Sequence, residues 1–275
     1  MDESSVLQEE RDKRSGIRRL SLSSRATTVL LIPLTILLFL LAWIVVSEWA
    51  DLPDVILPSP RAVLIRLIVS IADGTLPEHT AATFLEVLGG LVLGITIAAF
   101  LGYLIAKSRT LERILSPYIV ASQSIPIVAI APLLVIWFGS GRISKVLISA
   151  LIVFFPVLVN TVVAIRSVPE DLRDLMRSLR ATRWQVFSKL EVPAAMPVLL
   201  GGLKIGATLA VIGAVVGEFV AADEGLGFLI NLARGMYDTS MVFVAVFTLV
   251  ALALILYSLV AILEIKLLAW RKEPP

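Results

Sequence analysis

Glu218 stands near the end of an otherwise almost wholly apolar run at 198–220. An ionised carboxylate facing lipid is costly, so this one belongs against protein or beside a hydrated path. Three roles are open to it: contact with a cationic or hydrogen-bonding solute, gating of a path, or a structural ion pair. Ser122 and Gln123 share the run 119–138 with Pro126 and Pro132, and Asn160 shares the run 146–165 with Pro156. A proline inside a helix removes a backbone hydrogen bond. At membrane depth the carbonyl left over must be satisfied by a neighbouring helix, a polar side chain or water. Ser122, Gln123 and Asn160 therefore serve either that backbone or a solute crossing beside it. Glu86 and Lys204, near the starts of their runs, read as interfacial residues.

Most other chemistry lacks its parts. The chain has no cysteine and one histidine, His79, which removes disulfides, thiolate catalysis and zinc-thiolate sites together. No H-E-x-x-H or G-x-S-x-G occurs, so a membrane-embedded enzyme would lack its reactive groups. His79 has no second ligand near it in the sequence and reads as a surface residue. No metal site and no cofactor is expected. A phosphate-cradling G-x-x-x-x-G-K-[ST] loop is also missing, so any ATP hydrolysis belongs to a partner.

The elements that must position these residues follow from composition. Of 275 residues 58% are hydrophobic and 17% charged, too apolar for a chain facing water on all sides. Six runs, at 29–47, 87–106, 119–138, 146–165, 198–220 and 241–263, have about the length of a membrane-crossing helix. The fold class is therefore all-α, a polytopic membrane protein with six transmembrane helices. It comprises a tail at 1–28, a membrane domain at 29–265 and a tail at 266–275. The tails and the connectors 107–118 and 166–197 hold 18 Lys and Arg, the other connectors 5. That bias places both termini and the two basic connectors in the cytoplasm, with the chain multi-pass in the cytoplasmic membrane. Its positive charges are dispersed, so nucleic acid is not a partner; the lipid bilayer is. The first run exceeds the apolar core of a signal peptide and reads as retained. Residues 51–59, with two prolines and a third following at Pro60, read as extended, and 61–73 as either a short amphipathic surface helix or a plain loop.

Span three, with its two interior prolines, is predicted to be kinked or broken. Span five carries Gly201, Gly202, Gly206, Gly213 and Gly217, small residues that allow close helix approach. Span six, uniformly apolar, suits a lipid-facing position.

The connector 166–197 is too polar to enter the membrane and too patterned to lack structure. Ser167 with Glu170 forms the sequence of a capping box, followed by Leu172, Leu175, Met176 and Leu179 at helical spacing. Thr182 with Gln185 forms a second, followed by Trp184, Phe187 and Leu190, with Pro193 ending that helix. The first helix is expected to pack beneath its own span ends. For the second, packing and docking to another protein are both open, and an Arg183-Trp184 pair beside Phe187 has the composition of an interface hot spot.

Here the residues resemble a known family. Asp174-Leu175-Met176, Arg180 and Leu190-Glu191-Val192-Pro193 keep the spacing of the E-A-A, G, I-x-L-P loop of permease subunits in ATP-binding-cassette importers. Only Pro193 is identical, and Arg180 stands where the pattern has glycine. Leu57-Pro58-Ser59-Pro60, Trp137-Phe138-Gly139 with Ser144-Lys145, the stretch 181–187, Pro193-Ala194-Ala195-Met196-Pro197 and Gly225-Leu226-Gly227-Phe228 are similar to the nitrate, sulfonate and taurine branch. The likeness implies a type I importer permease. Two such subunits, most simply a homodimer, line the path, two ATPase subunits dock beneath, and an external solute-binding protein delivers cargo. It implies that Asp174, Arg180, Ala181, Trp184, Phe187 and Pro193 couple to the ATPase. The path residues remain Ser122, Gln123, Asn160 and Glu218. Solutes of the branch include nitrate, sulfonates, taurine and small vitamin or pyrimidine precursors. A scarcity of basic residues in the spans does not support an oxyanion. An energy-independent channel or secondary carrier is the alternative.

Overall fold

Long apolar runs fold into helices because only intrahelical hydrogen bonds satisfy the backbone away from water. The computed structural model describes residues 31, 33–48 and 53–271, and every regular element among them is helical. The expected tail at 1–28 and the end of the second tail, 272–275, lie outside the described residues, as do the first residues of the run 29–47.

The described residues divide into two units, one up to Leu64 and one from Ile65 onward. In the first lies the short apolar helix α1 (Pro33–Glu48). Trp43 Nε1 donates to the Pro58 carbonyl at 3.1 Å. The prolines there were expected to hold the chain extended. Instead the Pro53 carbonyl accepts from the Ile56 N–H at 2.8 Å, because a proline lacks only the donor and can still open a turn. Helix α2 (Pro60–Ala72) begins in this unit, its first turn capped by Ser59, whose Oγ accepts from the Ala62 N–H at 3.2 Å. Of the two readings of 61–73, the helix is the one adopted.

In the second unit, α3 (Thr75–Lys107), α6 (Arg142–Arg166), the segment Arg183–Val220 and α11 (Thr239–Leu267) are long and apolar enough to cross a membrane. Between α3 and α6 lie α4 (Arg109–Gln123) and α5 (Ile127–Phe138), bent by 93° at their break. The break expected of span three falls at 124–126, with Pro126 as the N-cap of α5, whereas Pro132 lies within α5 without ending it. The segment 183–220 divides into α8 (Arg183–Val186), a π turn (Phe187–Glu191) and α9 (Val192–Val220). Before it comes α7 (Glu170–Ser178), after it α10 (Leu226–Gly235), and a 3₁₀ turn (Ala269–Arg271) closes the described chain.

Helices α3, α6 and α9 pack most extensively, around Val87, Leu91, Val153, Val157, Ala207 and Val211. Lipid tails are as apolar as leucine, so this packing depends on close fit rather than on water exclusion. A Cβ at Gly213 would stand 2.5 Å from Ser149 Cα, and one at Gly94 2.7 Å from the Ala150 carbonyl. Gly202, Gly206 and Gly217 also face α6, while Gly201 faces open space. Few residues of α11 are buried, and Leu254 and Ile255 are among its exposed ones, as its uniform apolarity predicts. Helix α4 buries no side chain and α5 only Ala131.

Candidate functional site

The polar connector after α6 is built by three local devices. Its first expected cap does not form: Ser167 stays helical at the end of α6 and its Oγ donates to the Ala164 carbonyl at 2.8 Å. Pro169 takes the N-cap position of α7, without a side-chain bond. Helix α7 then ends in a Schellman motif, in which the Ala181 N–H donates to the Met176 carbonyl (3.0 Å) and the Arg180 N–H to that of Arg177 (2.9 Å). The left-handed residue of this motif is Arg180, at φ +51°. The position where the resembled loop pattern has glycine is thus left-handed with arginine in it, at a cost of about 1 kcal/mol. The second capping box does form: Thr182 N–H donates to Gln185 Oε1 (2.8 Å) and Gln185 N–H to Thr182 Oγ1 (3.3 Å).

Pro193 does not end the helix, contrary to the sequence expectation. The π turn at Phe187–Glu191, closed by the Val192 N–H on the Phe187 carbonyl, widens the ladder before Pro193 and lets the chain run on into α9. Such π turns recur at functional sites.

Glu191 anchors this assembly. Its side chain is wholly buried; Lys107 is ion-paired to it, Tyr103 Oη donates to it at 3.1 Å, and Arg173 Nε lies at 4.0 Å. The π turn is thereby tied to α3 and α7. Phe187, half-buried, meets the Tyr103 ring edge-on at 5.2 Å. Trp184, 5.4 Å from Phe187 between ring centroids, is 71% exposed and Leu179 68%. Leu172 and Leu175 are exposed too, so the first helix does not pack its apolar face under the spans as expected. Asp174 is exposed and paired with Arg177 at 2.7 Å. Behind Trp184 a cavity of ≈ 510 Å³ is lined by Phe100, Tyr103, Ile165, Phe187 and Leu199. The result is an anchored platform with an aromatic and leucine-rich outer face.

At the opposite end of α3, α6 and α9 lies a second polar cluster. Glu218 (1% exposed) accepts from Thr83 Oγ1 at 2.6 Å and from the Gly227 N–H. Thr83 Oγ1 in turn accepts from the Leu226 N–H at 2.7 Å, and His79 Nδ1 from the Gly225 N–H at 3.0 Å. Glu86 and Lys145, 0% and 2% exposed, stand 3.4 Å apart beside it. Glu86 is thus buried, not interfacial. Its helix begins twelve residues before the expected span, at Thr75, which brings Glu86 inside the packed bundle. Lys204 pairs with Glu264 in half-buried surroundings.

The four path candidates are not brought together by hydrogen bonds or ion pairs. Ser122 Oγ donates to the Ile119 carbonyl at 2.9 Å and Gln123 is exposed, both at the α4–α5 bend. Asn160 Nδ2 donates to the Pro156 carbonyl of its own helix at 2.8 Å. That bond serves the helix backbone, though not the carbonyl that Pro156 leaves over, which is that of Ile152. The residues missed by sequence reasoning are Glu191 and Lys145. Glu191 carries a signal, being the sole acidic residue between Asp174 and Glu218.

A bundle of long apolar helices with a structured polar loop between two of them defines the class as a polytopic helical membrane protein. The chain matches the family model described as "binding-protein-dependent transport system inner membrane component" over residues 90–268. It belongs to that family and is a permease of the ATP-binding-cassette importer kind. The riboflavin transport system permease protein of Chloroflexus aurantiacus is 48% identical over 239 residues, covering 87% of this chain and 89% of the relative. The formylaminopyrimidine transport permease protein of Halalkalibacterium halodurans is 36% identical, covering 86% and 94%. The taurine transport system permease protein of Escherichia coli is 31% identical, covering 87% and 89%. Among solved structures, a chain of the MetNI methionine ABC transporter superposes with a TM-score of 0.60 at 18% identity, over 69% of this chain and 94% of that one. This last likeness supports the shared fold.

Proposed function

We propose that the chain forms the translocation path for a nitrogen heterocycle of the riboflavin kind. A binding protein outside the cytoplasmic membrane delivers the solute, and a separate ATPase drives transport. The observation that carries the energy-coupling part is the exposed Trp184–Leu179 face on a platform fixed by Glu191 and two helix-end motifs. A rigid apolar face on a polar loop is costly in water and calls for a protein partner. The connector end of the bundle is cytoplasmic, both termini lie there, and six spans in residues 29–265 make the path with a second copy. Two ATPase subunits dock on Asp174, Arg180, Ala181, Trp184, Phe187 and the Pro193 turn. ATP shifts the bundle between inward and outward openings only if this platform docks differently in the two states. Ser122 and Gln123, at the bend of the loosely packed α4–α5 pair, line the path. For the solute, the relatives transporting riboflavin and formylaminopyrimidine carry the reading. The cations set inside the long helices, Lys145 and Lys204, are both ion-paired, which argues against an oxyanion.

The test is uptake by the complete transporter, purified through a tag on this chain and reconstituted in vesicles with its binding protein. Labelled riboflavin should enter with ATP inside and not without it, and labelled taurine should not enter. ATP-independent entry of riboflavin would overturn the coupling; taurine entry without riboflavin entry would overturn the solute class.

A further inference from the structure

The cluster at the end of α9 asks for a different explanation, because nothing about it is arranged to meet a solute. Both carboxylate oxygens of Glu218 are already occupied, one by Thr83 from α3 and one by the Gly227 N–H from the first turn of α10. Thr83 donates its only hydroxyl proton to Glu218 and accepts the Leu226 N–H. Two of the four N–H groups that a helix start leaves unpaired thereby end, directly or through Thr83, on one buried carboxylate. No space is left over: a Cβ at Gly225 would stand 2.2 Å from Glu218 Oε1, and one at Gly227 2.7 Å from Oε2. Gly225 also holds φ +112°, a conformation open to glycine at little cost.

Burial of this carboxylate needs charge nearby, and Lys145 of α6, ion-paired to Glu86 of α3, supplies it. Two carboxylates face one ammonium, so the cluster is neutral only with one bound proton. Glu86 accepts no hydrogen bond at either oxygen among the described residues, and it is the position where a neutral amide costs least.

We infer that Thr83, Lys145 and Glu218 are a positioning cluster that fixes the 221–225 turn and α10 to the ends of α3 and α6, with Glu86 beside them but outside the hydrogen-bonded set. This end of the permease then moves as one body in the transport cycle, and Glu218 acts by holding the turn, without touching the solute. The inference rests on the permease reading above. It deepens that reading by assigning residues to the end of the bundle away from the ATPase platform.

The experiment uses the reconstituted transporter with riboflavin as probe, comparing wild type with Thr83→Val, Glu218→Gln, Glu86→Gln and the double variant Thr83→Val/Glu218→Gln. A glutamine at 218 keeps one acceptor oxygen, so its amide NH2 must face one of the two donors, the Gly227 N–H or the Thr83 hydroxyl. Glu218→Gln should lower the maximal uptake rate about tenfold, with the half-saturating concentration of loaded binding protein unchanged. Thr83→Val, which keeps the shape and removes the hydroxyl, should move the same quantity in the same direction. The double variant should lose no more than Glu218→Gln alone, since residues of one network are not additive. Glu86→Gln should stay within about twofold of wild type. Should Glu218→Gln not assemble, Thr83→Val and Glu86→Gln carry the test. A shift in half-saturation with the maximal rate intact would make Glu218 a solute contact and overturn the inference. So would a wild-type rate in Thr83→Val, or losses that multiply in the double variant. Failure of the wild-type complex to take up riboflavin with ATP would instead count against the function proposed above.

Discussion

The two ends of the α3–α6–α9 bundle break the usual division of polar and apolar residues in opposite ways. At the connector end, Trp184 and Leu179 are left exposed on a polar loop; at the far end, Glu86, Lys145 and Glu218 are sealed inside. Each end also holds a buried carboxylate with a different neighbourhood. Glu191 meets two cations that reach toward the surface, Lys107 and Arg173, whereas Glu218 and Glu86 share one interior cation, Lys145. An exposed apolar face is information about a missing partner, and a buried charge is information about what must not move. The comparison separates a surface built to be covered from a joint built to stay closed.

Four substitutions sharpen that contrast. Lys145→Met leaves two buried carboxylates without a cation, and thermal melting of the purified protein in detergent should show a loss of about 3–5 kcal/mol. A variant as stable as wild type would mean that the joint does not depend on its charge. Glu191→Gln weakens an anchor to Lys107, Tyr103 and Arg173 and should cost about 2 kcal/mol in the same measurement. It should also raise protease cleavage in the loop 166–182, because the platform loses its tie to α3. Arg180→Gly runs the other way: glycine accepts φ +51° without the Cβ penalty, so stability should rise by about 1 kcal/mol. An unchanged or lower melting point would show that the arginine side chain has a stabilising contact. The smallest effect belongs to the Arg142–Glu224 pair at 2.8 Å on the surface. Its side-chain hydrogen bond holds the Glu224 carboxyl below its ordinary value of 4.5. A depressed carboxylate stabilises the fold above the unfolded value and loses that contribution as pH falls through the folded one. Arg142→Gln should therefore slightly flatten the fall of the melting temperature as pH drops below 4.5, a small effect for so exposed a pair.

Much of this molecule was legible as sequence. Length and apolarity located the four long apolar helices, Pro126 marked the break between α4 and α5, and the Thr182–Gln185 cap formed as written. What escaped was decided by neighbours distant along the chain. Ser167 reads as a cap in isolation, yet the end of α6 claims its hydroxyl. Pro193 reads as a stop, yet a π turn absorbs it, and no periodicity reports a π turn in advance. Glu86 reads as interfacial because its burial depends on Lys145 and Glu218, 59 and 132 residues away in sequence. The Gly225-Leu226-Gly227-Phe228 motif was recognisable as a string, but its physical content, a turn without side chains around a carboxylate, emerges only in three dimensions.

The central claim is that this permease takes its energy through the exposed face of an anchored loop. The direct test is the affinity of the partner ATPase for detergent-purified permease, wild type against Trp184→Ala, with melting followed in parallel. Truncating a side chain that is 71% exposed should leave the melting point in place while weakening ATPase binding by about 2 kcal/mol, roughly 30-fold in Kd. Equal affinity for the two proteins would contradict the account.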